Sequence, residues 1–290
     1  MNPQPWRAKL GRLSLILLAT VYCVFPIYFM LVQSLKTAQE DIFGNPLIVM
    51  HPTLENFEEL FEREGPVRGF VGSALHRSYP FLDWLGNTLI VFAGSVALTL
   101  AMSVAAAYAL GRLRPPGFRW WRRIIFATYV IPQTILFVPL YQVVITFGLD
   151  DNLLALILIY PTLALPFCIW ILSTYFQHLP REVEEAALLE GASRATAFFR
   201  IILPMSRPVV VAAGIFALGA VASDLTIASL FLLSGHNQTI PAGLGTVEVA
   251  LDELAAVAGI NLMAIPVLAI SAFFARDYVR GLTAAMLEGS

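Results

Sequence analysis

The chain has few charged residues. Only 13% of its 290 residues are Asp, Glu, Lys or Arg, whereas 58% are hydrophobic and the mean hydropathy is +0.74. A soluble globular domain carries about 25% charged residues, so the composition excludes an ordinary soluble protein and predicts a polytopic membrane protein. The formal net charge of −2 does not indicate a partner, because in a membrane protein the information lies in the side on which the charges fall.

Residues that catalyse reactions or bind metals are also scarce. The two cysteines, Cys23 and Cys168, lie in apolar runs and are predicted to be small buried core residues. The four histidines have no metal-ligand spacing, and no Gly-x-Ser-x-Gly motif occurs. Neither of the two lysines, Lys9 and Lys36, follows a glycine, so the chain has no phosphate-binding Gly-Lys loop. The sequence predicts no catalytic residue, no metal site and no ATP hydrolysis by this chain.

Six apolar runs are long enough to cross about 30 Å of hydrocarbon, which takes about 20 helical residues. They are Leu13–Leu35, Trp84–Leu110, Ile124–Phe147, Leu153–Tyr175, Val209–Leu233 and Ala255–Phe274. The first run is too long for the core of a signal peptide, and no small-residue cleavage site follows it. We therefore expect an all-α membrane protein that keeps six transmembrane helices.

Basic residues predict the orientation, because an excess of Lys and Arg marks cytoplasmic loops. With the amino terminus inside, 14 of the 18 basic residues lie on the cytoplasmic side, so both termini are predicted to be cytoplasmic. The predicted organisation is a cytoplasmic amino-terminal segment (residues 1–12), a six-span domain (13–275) with an outer loop (36–83) and a cytoplasmic loop (176–208), and a cytoplasmic tail (276–290).

A few polar residues in or near the predicted spans are candidates for lining a transport pathway. Asp224 is the one ionisable residue well inside a span, where an unpaired carboxylate costs about 2.5 to 3.5 kcal/mol. It could belong to the pathway or its gate, or it could form a hydrogen bond between helices. The other candidates could line a cavity, and each is also compatible with an ordinary contact between helices: Asn87, Gln133, Tyr141, Gln142, Ser223, Thr226 and Asn261.

The cytoplasmic loop contains a motif with fixed spacing, namely Glu-Ala-Ala, three residues, Gly191, nine residues and Ile-x-Leu-Pro. Pro180 sets φ where a first helix would begin, and Gly191 can adopt the left-handed conformation that would end it. Ser193 can cap a second helix over Arg194–Leu203, which would stop at Pro204. The loop is therefore predicted to form a compact helix-turn-helix.

The first helix of this loop has acidic residues at its start, which favour the positive end of the helix dipole: Glu182, Glu184 and Glu185. Val183, Ala186 and Ala187 lie on one side and form a small-residue face that another protein could approach closely. An amphipathic helix on lipid headgroups is the alternative, which the acidic residues disfavour because anionic lipid would repel them.

The chain resembles the inner-membrane permeases of the carbohydrate-uptake branch of ATP-binding cassette (ABC) importers, the maltose-permease type, over nearly its whole length. The segments that carry the resemblance are Leu179–Ala187, Gly191–Ser193, Ile201–Pro204 and Tyr278–Thr283. Weaker matches are Ser34–Lys36, Asn56-Phe57, Asn87-Thr88 and Ile131-Pro132. One segment departs from the pattern, because family members usually carry Trp-Asn-Asp or Trp-Asn-Glu where this chain has Ala222-Ser223-Asp224.

The resemblance implies a type I ABC importer permease fold with six spans and a cytoplasmic coupling helix-turn-helix. In such an importer two different permeases form the pathway, two ATPase subunits bind ATP and Mg²⁺, and an extracytoplasmic solute-binding protein delivers the ligand. This chain would then bind no cofactor itself, would contact membrane lipid and would have no nucleic-acid partner. The residues implied in coupling to the ATPase are Glu182, Glu184, Glu185, Ala186, Ala187, Gly191, Ile201, Leu203 and Pro204.

The implied substrate is a carbohydrate or a related polyol or sugar phosphate, carried across a bacterial or archaeal cytoplasmic (inner) membrane. Two other function classes fit the sequence less well. An ion-coupled secondary transporter would usually show internal repeats, and none is found in these spans. A membrane-embedded enzyme would need a catalytic constellation, which the sequence lacks.

Overall fold

The computed structural model describes residues 6–61, 65–66, 76–77, 80–245 and 253–287. Regular structure in this part of the chain is helical, apart from an antiparallel pair of two-residue strands, β1 (Gly65–Pro66) and β2 (His76–Arg77). The helices are α1 (Trp6–Ser34), α2 (Ala38–Phe43), α3 (Glu55–Phe61), α4 (Phe81–Tyr108), α5 (Phe118–Thr128), α6 (Gln133–Thr146), α7 (Leu153–His178), α8 (Arg181–Leu189), α9 (Arg194–Ala197), α10 (Leu203–Met205), α11 (Arg207–Ala222), α12 (Thr226–Phe231), α13 (Ile240–Leu244), α14 (Glu253–Phe273) and α15 (Ala275–Leu287). Two π-helical turns extend this set, Ala109–Leu113 after α4 and Phe198–Ile202 between α9 and α10.

Four helical segments in the described residues are long and apolar enough to cross a membrane. They are Leu10–Ser34, Phe81–Leu113, Leu153–His178 and Glu253–Phe273. A fifth is present if the pair Arg194–Met205 and Arg207–Ala222, which is bent by 75°, is taken as one span. The structure is therefore an all-α membrane protein, as predicted, and the four or five such spans in the described residues are consistent with the predicted six.

The predicted third and fifth spans are each interrupted. In the third, α5 ends at Thr128 and α6 begins after Pro132, which has no N–H and disfavours the helical conformation of Ile131. In the fifth, α11 ends at Ala222, and the side chain of Asp224 bonds the first free N–H groups of α12. Neither run is therefore one continuous helix, and each break has a local cause.

Residues Met1–Leu82 and Leu244–Ala264 form one compact unit. The buried Asn56 holds the chain that follows α1, because its Nδ2 donates to the carbonyl oxygens of Ser34 at 2.9 Å and Lys36 at 2.8 Å. Most of α1 packs against nothing in the described chain, since only 6% of its apolar window is buried. Cys23 is accordingly exposed, which corrects its predicted burial.

Residues Asp83–Gly243 and Ile265–Ser290 form the second unit, with α7 at its centre. More than half of the residues of α7 are buried, and one hydrophobic cluster joins it to α4 and α11. Cys168 lies in this cluster and donates to the carbonyl oxygen of Ala213 at 3.5 Å, which confirms its predicted place in the core. The helix α15 packs along α11, so the predicted cytoplasmic tail is a helix that supports the bundle.

Candidate functional site

The predicted helix-turn-helix is present between α7 and α11. The helix α8 is followed by Gly191, whose φ of +90° lies in the left-handed region. A Cβ at this position would meet no atom within 4 Å, so glycine is required by φ alone. Ser193 Oγ accepts the N–H of Thr196 at 3.1 Å and caps α9. The predicted turn and cap are both confirmed.

The end of this motif differs from the prediction. Instead of one helix over Arg194–Leu203, the chain forms α9, a π-helical turn over Phe198–Ile202 and α10. In the π turn the N–H of Leu203 bonds the carbonyl of Phe198, and the wider turn lets the helical run pass Pro204 instead of stopping there. The run ends at Met205, where the chain bends by 75° into α11.

Arg112, in the π-helical turn after α4, clamps the start of α8. Its Nε lies 2.7 Å from Glu184 Oε2, Nη1 donates to the carbonyl oxygen of Leu179 at 2.7 Å, and Nη2 donates to that of Pro180 at 2.8 Å. Tyr108 completes the cluster by donating to Glu184 Oε1 at 2.7 Å. We call Arg112, Glu184, Tyr108 and these two carbonyls the Arg112 clamp.

The clamp is largely shielded from solvent, since the side chains of Arg112 and Glu184 are 5% and 11% exposed. Burial by itself would raise the pKa of the Glu184 carboxyl, but hydrogen bonds from Arg112 and Tyr108 outweigh burial and hold its pKa below the ordinary 4.5. The carboxylate is therefore ionised at neutral pH. Its charge is matched by Arg112, so α8 cannot move away from α4 without exposing a buried ion pair.

The lowered pKa predicts how the clamp responds to acid. A carboxyl with a depressed pKa stabilises the fold above its unfolded value, here 4.5, and this contribution is lost as the pH falls through the folded value. We expect the difference in melting temperature between the wild type and Glu184→Gln to be constant at about pH 6 to 8 and to shrink below about pH 4.5. Thermal unfolding of the purified protein over this pH series measures it, and a difference that already shrinks at about pH 6 would contradict the assignment.

The structure divides the predicted coupling residues into an exposed and a buried set. Exposed residues on α8 and in the following turn are Glu182, Glu185, Ala186 and Gly191. Glu184 and Ala187 are buried against the rest of the chain, so the predicted small-residue face lies partly against this protein itself and not wholly toward a partner. Further along, Pro204 is exposed, whereas Ile201 and Leu203 are half-buried.

Two residues of this site were not predicted. Leu189 lies on the same side of α8 as Glu182, Glu185 and Ala186, at helical spacing, and is 89% exposed. Its position, four residues after Glu185 and three after Ala186, could have indicated this from the sequence. The contact of Arg112 with Glu184 could not be predicted, because the two residues lie 72 positions apart in sequence.

Asp224 lies in the break between α11 and α12 and accepts hydrogen bonds from one side chain and two backbone N–H groups. Its Oδ2 accepts from the hydroxyl of Tyr160 at 2.9 Å, from the N–H of Ile227 at 3.1 Å and from that of Ala228 at 3.2 Å. Tyr160 belongs to α7 and is fully buried. The carboxylate therefore caps α12 and ties it to α7, which gives the hydrogen-bond role a geometric basis.

Substitutions at Asp224 separate its two proposed roles. Asp224→Leu removes the cap and leaves the Tyr160 hydroxyl without its acceptor, so we expect a loss of about 1 to 3 kcal/mol in unfolding free energy. Asp224→Asn keeps one acceptor oxygen and should cost much less, about as much as Tyr160→Phe. Chemical unfolding and uptake in proteoliposomes test this. Normal stability in both variants with equally impaired uptake would instead favour an electrostatic role in the pathway.

The remaining pathway candidates have different surroundings. Asn87 donates to the carbonyl oxygens of His236 and Gln238 at 2.8 and 2.9 Å. Asn261 donates to the carbonyl oxygen of Met30 at 3.0 Å, so the amide groups of both residues bond backbone atoms of other segments. The ring of Tyr141 packs edge-on against Phe231. Gln142 and Thr226 are exposed. The side chain of Gln133 lies outside the described residues.

Ser223 lies in the wall of a cavity of about 400 Å³. The cavity is lined by Tyr129, Leu163, Ile215, Phe216, Gly219, Ala220, Ser223 and Tyr278. Its volume is within the range of small-molecule sites, about 300 to 1,000 Å³, and it combines aromatic surface with side chains that carry hydroxyl groups. Of the predicted pathway residues, Ser223 is thus brought to a cavity by the fold.

Comparison with known proteins assigns this chain to a family. Residues 97–284, which include α8 and Asp224, match the family described as binding-protein-dependent transport system inner membrane component. The inner membrane ABC transporter permease protein YcjP of Escherichia coli (strain K12) is 31% identical over 97% of both chains. The trehalose/maltose transport system permease protein MalG of Thermococcus litoralis is 30% identical, covering 97% of this chain and 98% of its own.

A solved structure has the same fold. One chain of a bacterial ABC transporter involved in the import of the acidic polysaccharide alginate superposes with a TM-score of 0.71 and 17% sequence identity. The alignment covers 95% of this chain and 99% of the other.

Proposed function

This chain belongs to the family of binding-protein-dependent transport system inner membrane components, and from that premise we propose that it imports a carbohydrate, using ATP hydrolysed by a partner subunit bound at α8. The chain is a permease subunit of an ABC importer and not an enzyme. The family is one of inner-membrane components, and membership implies partnership with another permease, an ATPase and a solute-binding protein. The carbohydrate class is supported by the trehalose/maltose permease, whose sequence aligns along nearly the whole chain.

The observation that carries the coupling proposal is that α8 is exposed on one face and bonded to the rest of the chain on the other. Glu182, Glu185, Ala186 and Leu189 form that face on α8, and the Arg112 clamp fixes the start of the helix from behind. A partner that pushes on this face moves the ends of α4 and α7 with it, since the clamp joins all three helices. Gly191 sets the direction in which the chain leaves α8.

The proposed assembly has two different permeases, this chain and a second one, with two ATPase subunits and an extracytoplasmic binding protein. ATP and Mg²⁺ bind the ATPase, and this chain holds no cofactor. In the residues that the structure describes, no group of three or more His, Cys, Asp or Glu side chains is placed to bind a metal. Both termini and α8 lie on the cytoplasmic side, as the distribution of basic residues supports.

Introducing a charged side chain in place of Leu189 tests the proposed ATPase contact. We expect Leu189→Asp to weaken retention of the co-expressed ATPase by about 30-fold, because an exposed apolar anchor at an interface contributes about 2 kcal/mol or more. Leu233→Asp is the matched control, since Leu233 is also an exposed leucine and lies on the proposed outer side. Copurification in detergent measures retention. Equal retention of the ATPase by both variants would show that α8 is not part of the interface.

The substrate class is tested separately with the assembled transporter. Proteoliposomes with the co-encoded binding protein are supplied with trehalose, maltose or glutamine, and ATP hydrolysis and uptake are measured. Stimulation by a sugar and not by glutamine is the expected result. Stimulation by glutamine alone would overturn the carbohydrate proposal while leaving the coupling proposal intact.

A further inference from the structure

A polar cavity of about 390 Å³ opens where two candidate membrane spans end. It is lined by Arg114, Phe118, Arg119, Arg122, Arg123 and Gln177. Arg114 directly follows the span Phe81–Leu113, and Gln177 is in the last turn of the span Leu153–His178. Because both spans stop at this level, the cavity lies at the boundary between the apolar layer and water.

The four arginines around this cavity have no acidic partner within the part of the chain that the structure describes. Ion pairs found there include those of Arg112 with Glu184, Arg207 with Asp277 and His236 with Asp83. Arg112, only two residues before Arg114, thus differs from the cavity arginines in having its charge matched by a buried carboxylate. Four unmatched positive charges around one space repel one another, and a bound anion would relieve that repulsion.

The cluster is held in place before any ligand binds. The guanidinium carbons of Arg114 and Arg119 lie 5.9 and 5.8 Å from the ring centroid of Phe118, so one ring orients both. Arg114 has a φ of +49°, which is uncommon for a non-glycine residue, and its Nε donates to the carbonyl oxygen of Gly111 at 3.2 Å. Arg119, Arg122 and Arg123 share one side of α5 at helical spacing.

Two exposed tryptophans lie between the cavity arginines in sequence. Trp120 and Trp121 on α5 are 64% and 56% exposed. Tryptophan favours the headgroup region of a bilayer, where its apolar ring and polar N–H are both accommodated. The helix α5 therefore combines side chains suited to headgroups with a cavity suited to an anion.

We propose that this cavity binds the phosphate of an anionic membrane phospholipid, with Arg114, Arg119, Arg122 and Arg123 as its ligands. A guanidinium group pairs with phosphate through two parallel N–H groups, and several such groups can share one phosphate and a second headgroup oxygen. Free phosphate has the same chemistry, but the position at the ends of two spans and the exposed indoles favour a lipid. The lipid would anchor α5 next to the Arg112 clamp.

The experiment uses the complete transporter complex in nanodiscs of phosphatidylcholine with increasing phosphatidylglycerol, and native mass spectrometry counts retained lipids. Arg119→Gln/Arg122→Gln/Arg123→Gln is expected to lower the preference for phosphatidylglycerol by on the order of 100-fold, since each basic residue near an anionic surface contributes about fivefold. Arg12→Gln/Arg276→Gln/Arg280→Gln removes three exposed arginines elsewhere and should leave the preference within about a factor of five.

Three results would overturn the proposal. The first is equal preference for phosphatidylglycerol in both triple variants. The second is displacement of phosphatidylglycerol by inorganic phosphate at millimolar concentration, which would identify a soluble anion as the ligand. The third is loss of the ATPase from the cavity variant with lipid retention unchanged, which would make the cluster a protein contact. If the Gln variant does not fold, two other variants replace it: the triple variant Arg119→Lys/Arg122→Lys/Arg123→Lys and the single variant Arg122→Gln. The lipid site is supported if the Lys variant keeps the preference for phosphatidylglycerol and Arg122→Gln lowers it.

Discussion

Replacing Arg112 with alanine is expected to uncouple ATP hydrolysis from uptake. The substitution leaves the carboxylate of Glu184 buried without its counter-ion and frees the carbonyl oxygens of Leu179 and Pro180. Removing one partner of a buried ion pair costs about 3 to 5 kcal/mol, so the start of α8 should detach from α4. Uptake per ATP hydrolysed in proteoliposomes should fall by on the order of tenfold, the scale of a typical coupling free energy.

A double variant separates loss of stability from loss of coupling. Arg112→Met/Glu184→Leu replaces both charges with apolar groups, which should restore most of the unfolding free energy but not the hydrogen bonds to α8. We expect its uptake per ATP to stay low. Arg280→Ala, at an exposed arginine, is the control and should behave as the wild type. Full coupling in the double variant would show that the clamp only stabilises the fold.

The clamp also explains why the proposed coupling motif has an acidic residue that no partner can reach. Glu184 is buried and bonded to Arg112 and Tyr108, whereas Glu182 and Glu185 on either side of it are exposed. A helix places residues three and four apart on one face, so adjacent carboxylates serve different surfaces. One carboxylate attaches α8 to its own chain, and the exposed ones remain for the proposed ATPase contact.

Features set by local chemistry could be predicted from the sequence. Gly191 was expected to adopt a left-handed conformation and Ser193 to cap a helix, and both do, because each effect depends on neighbouring backbone only. The long apolar runs that became α1, α4, α7 and α14 were predicted for the same reason, since length and hydropathy decide them.

Features set by contacts between distant residues could not be predicted. The pairing of Arg112 with Glu184 depends on how α4 packs against α7, and the sequence does not reveal that packing. The break before α12 has a similar origin, because Asp224 gains a buried partner, Tyr160, from another helix. The sequence stays apolar on both sides of this break, so hydropathy alone predicted one helix where the fold has α11 and α12.

Gly281→Ala is expected to destabilise the protein although alanine favours helices over glycine. A Cβ on Gly281 would lie 2.6 Å from the carbonyl carbon of Pro208 and 2.9 Å from the Cα of Val209, and it would also meet the carbonyl oxygen of Pro208. These are backbone atoms at the start of α11, so α15 would have to move away. Such overpacking costs about 1 to 3 kcal/mol, which matches or exceeds the roughly 1 kcal/mol gained in helix propensity, and contact with backbone atoms places the cost toward the upper end.

Gly86→Ala is the matched control for this prediction, because Gly86 also lies in a helix and a Cβ there would meet no atom within 4 Å. Alanine should therefore raise the unfolding free energy at Gly86 by up to about 1 kcal/mol and lower it at Gly281. Chemical denaturation of the two variants compares the signs directly. Because Pro208 follows the bend after α10, Gly281→Ala should also reduce uptake while Gly86→Ala does not. A gain in stability at both positions would mean that α15 does not pack tightly on α11.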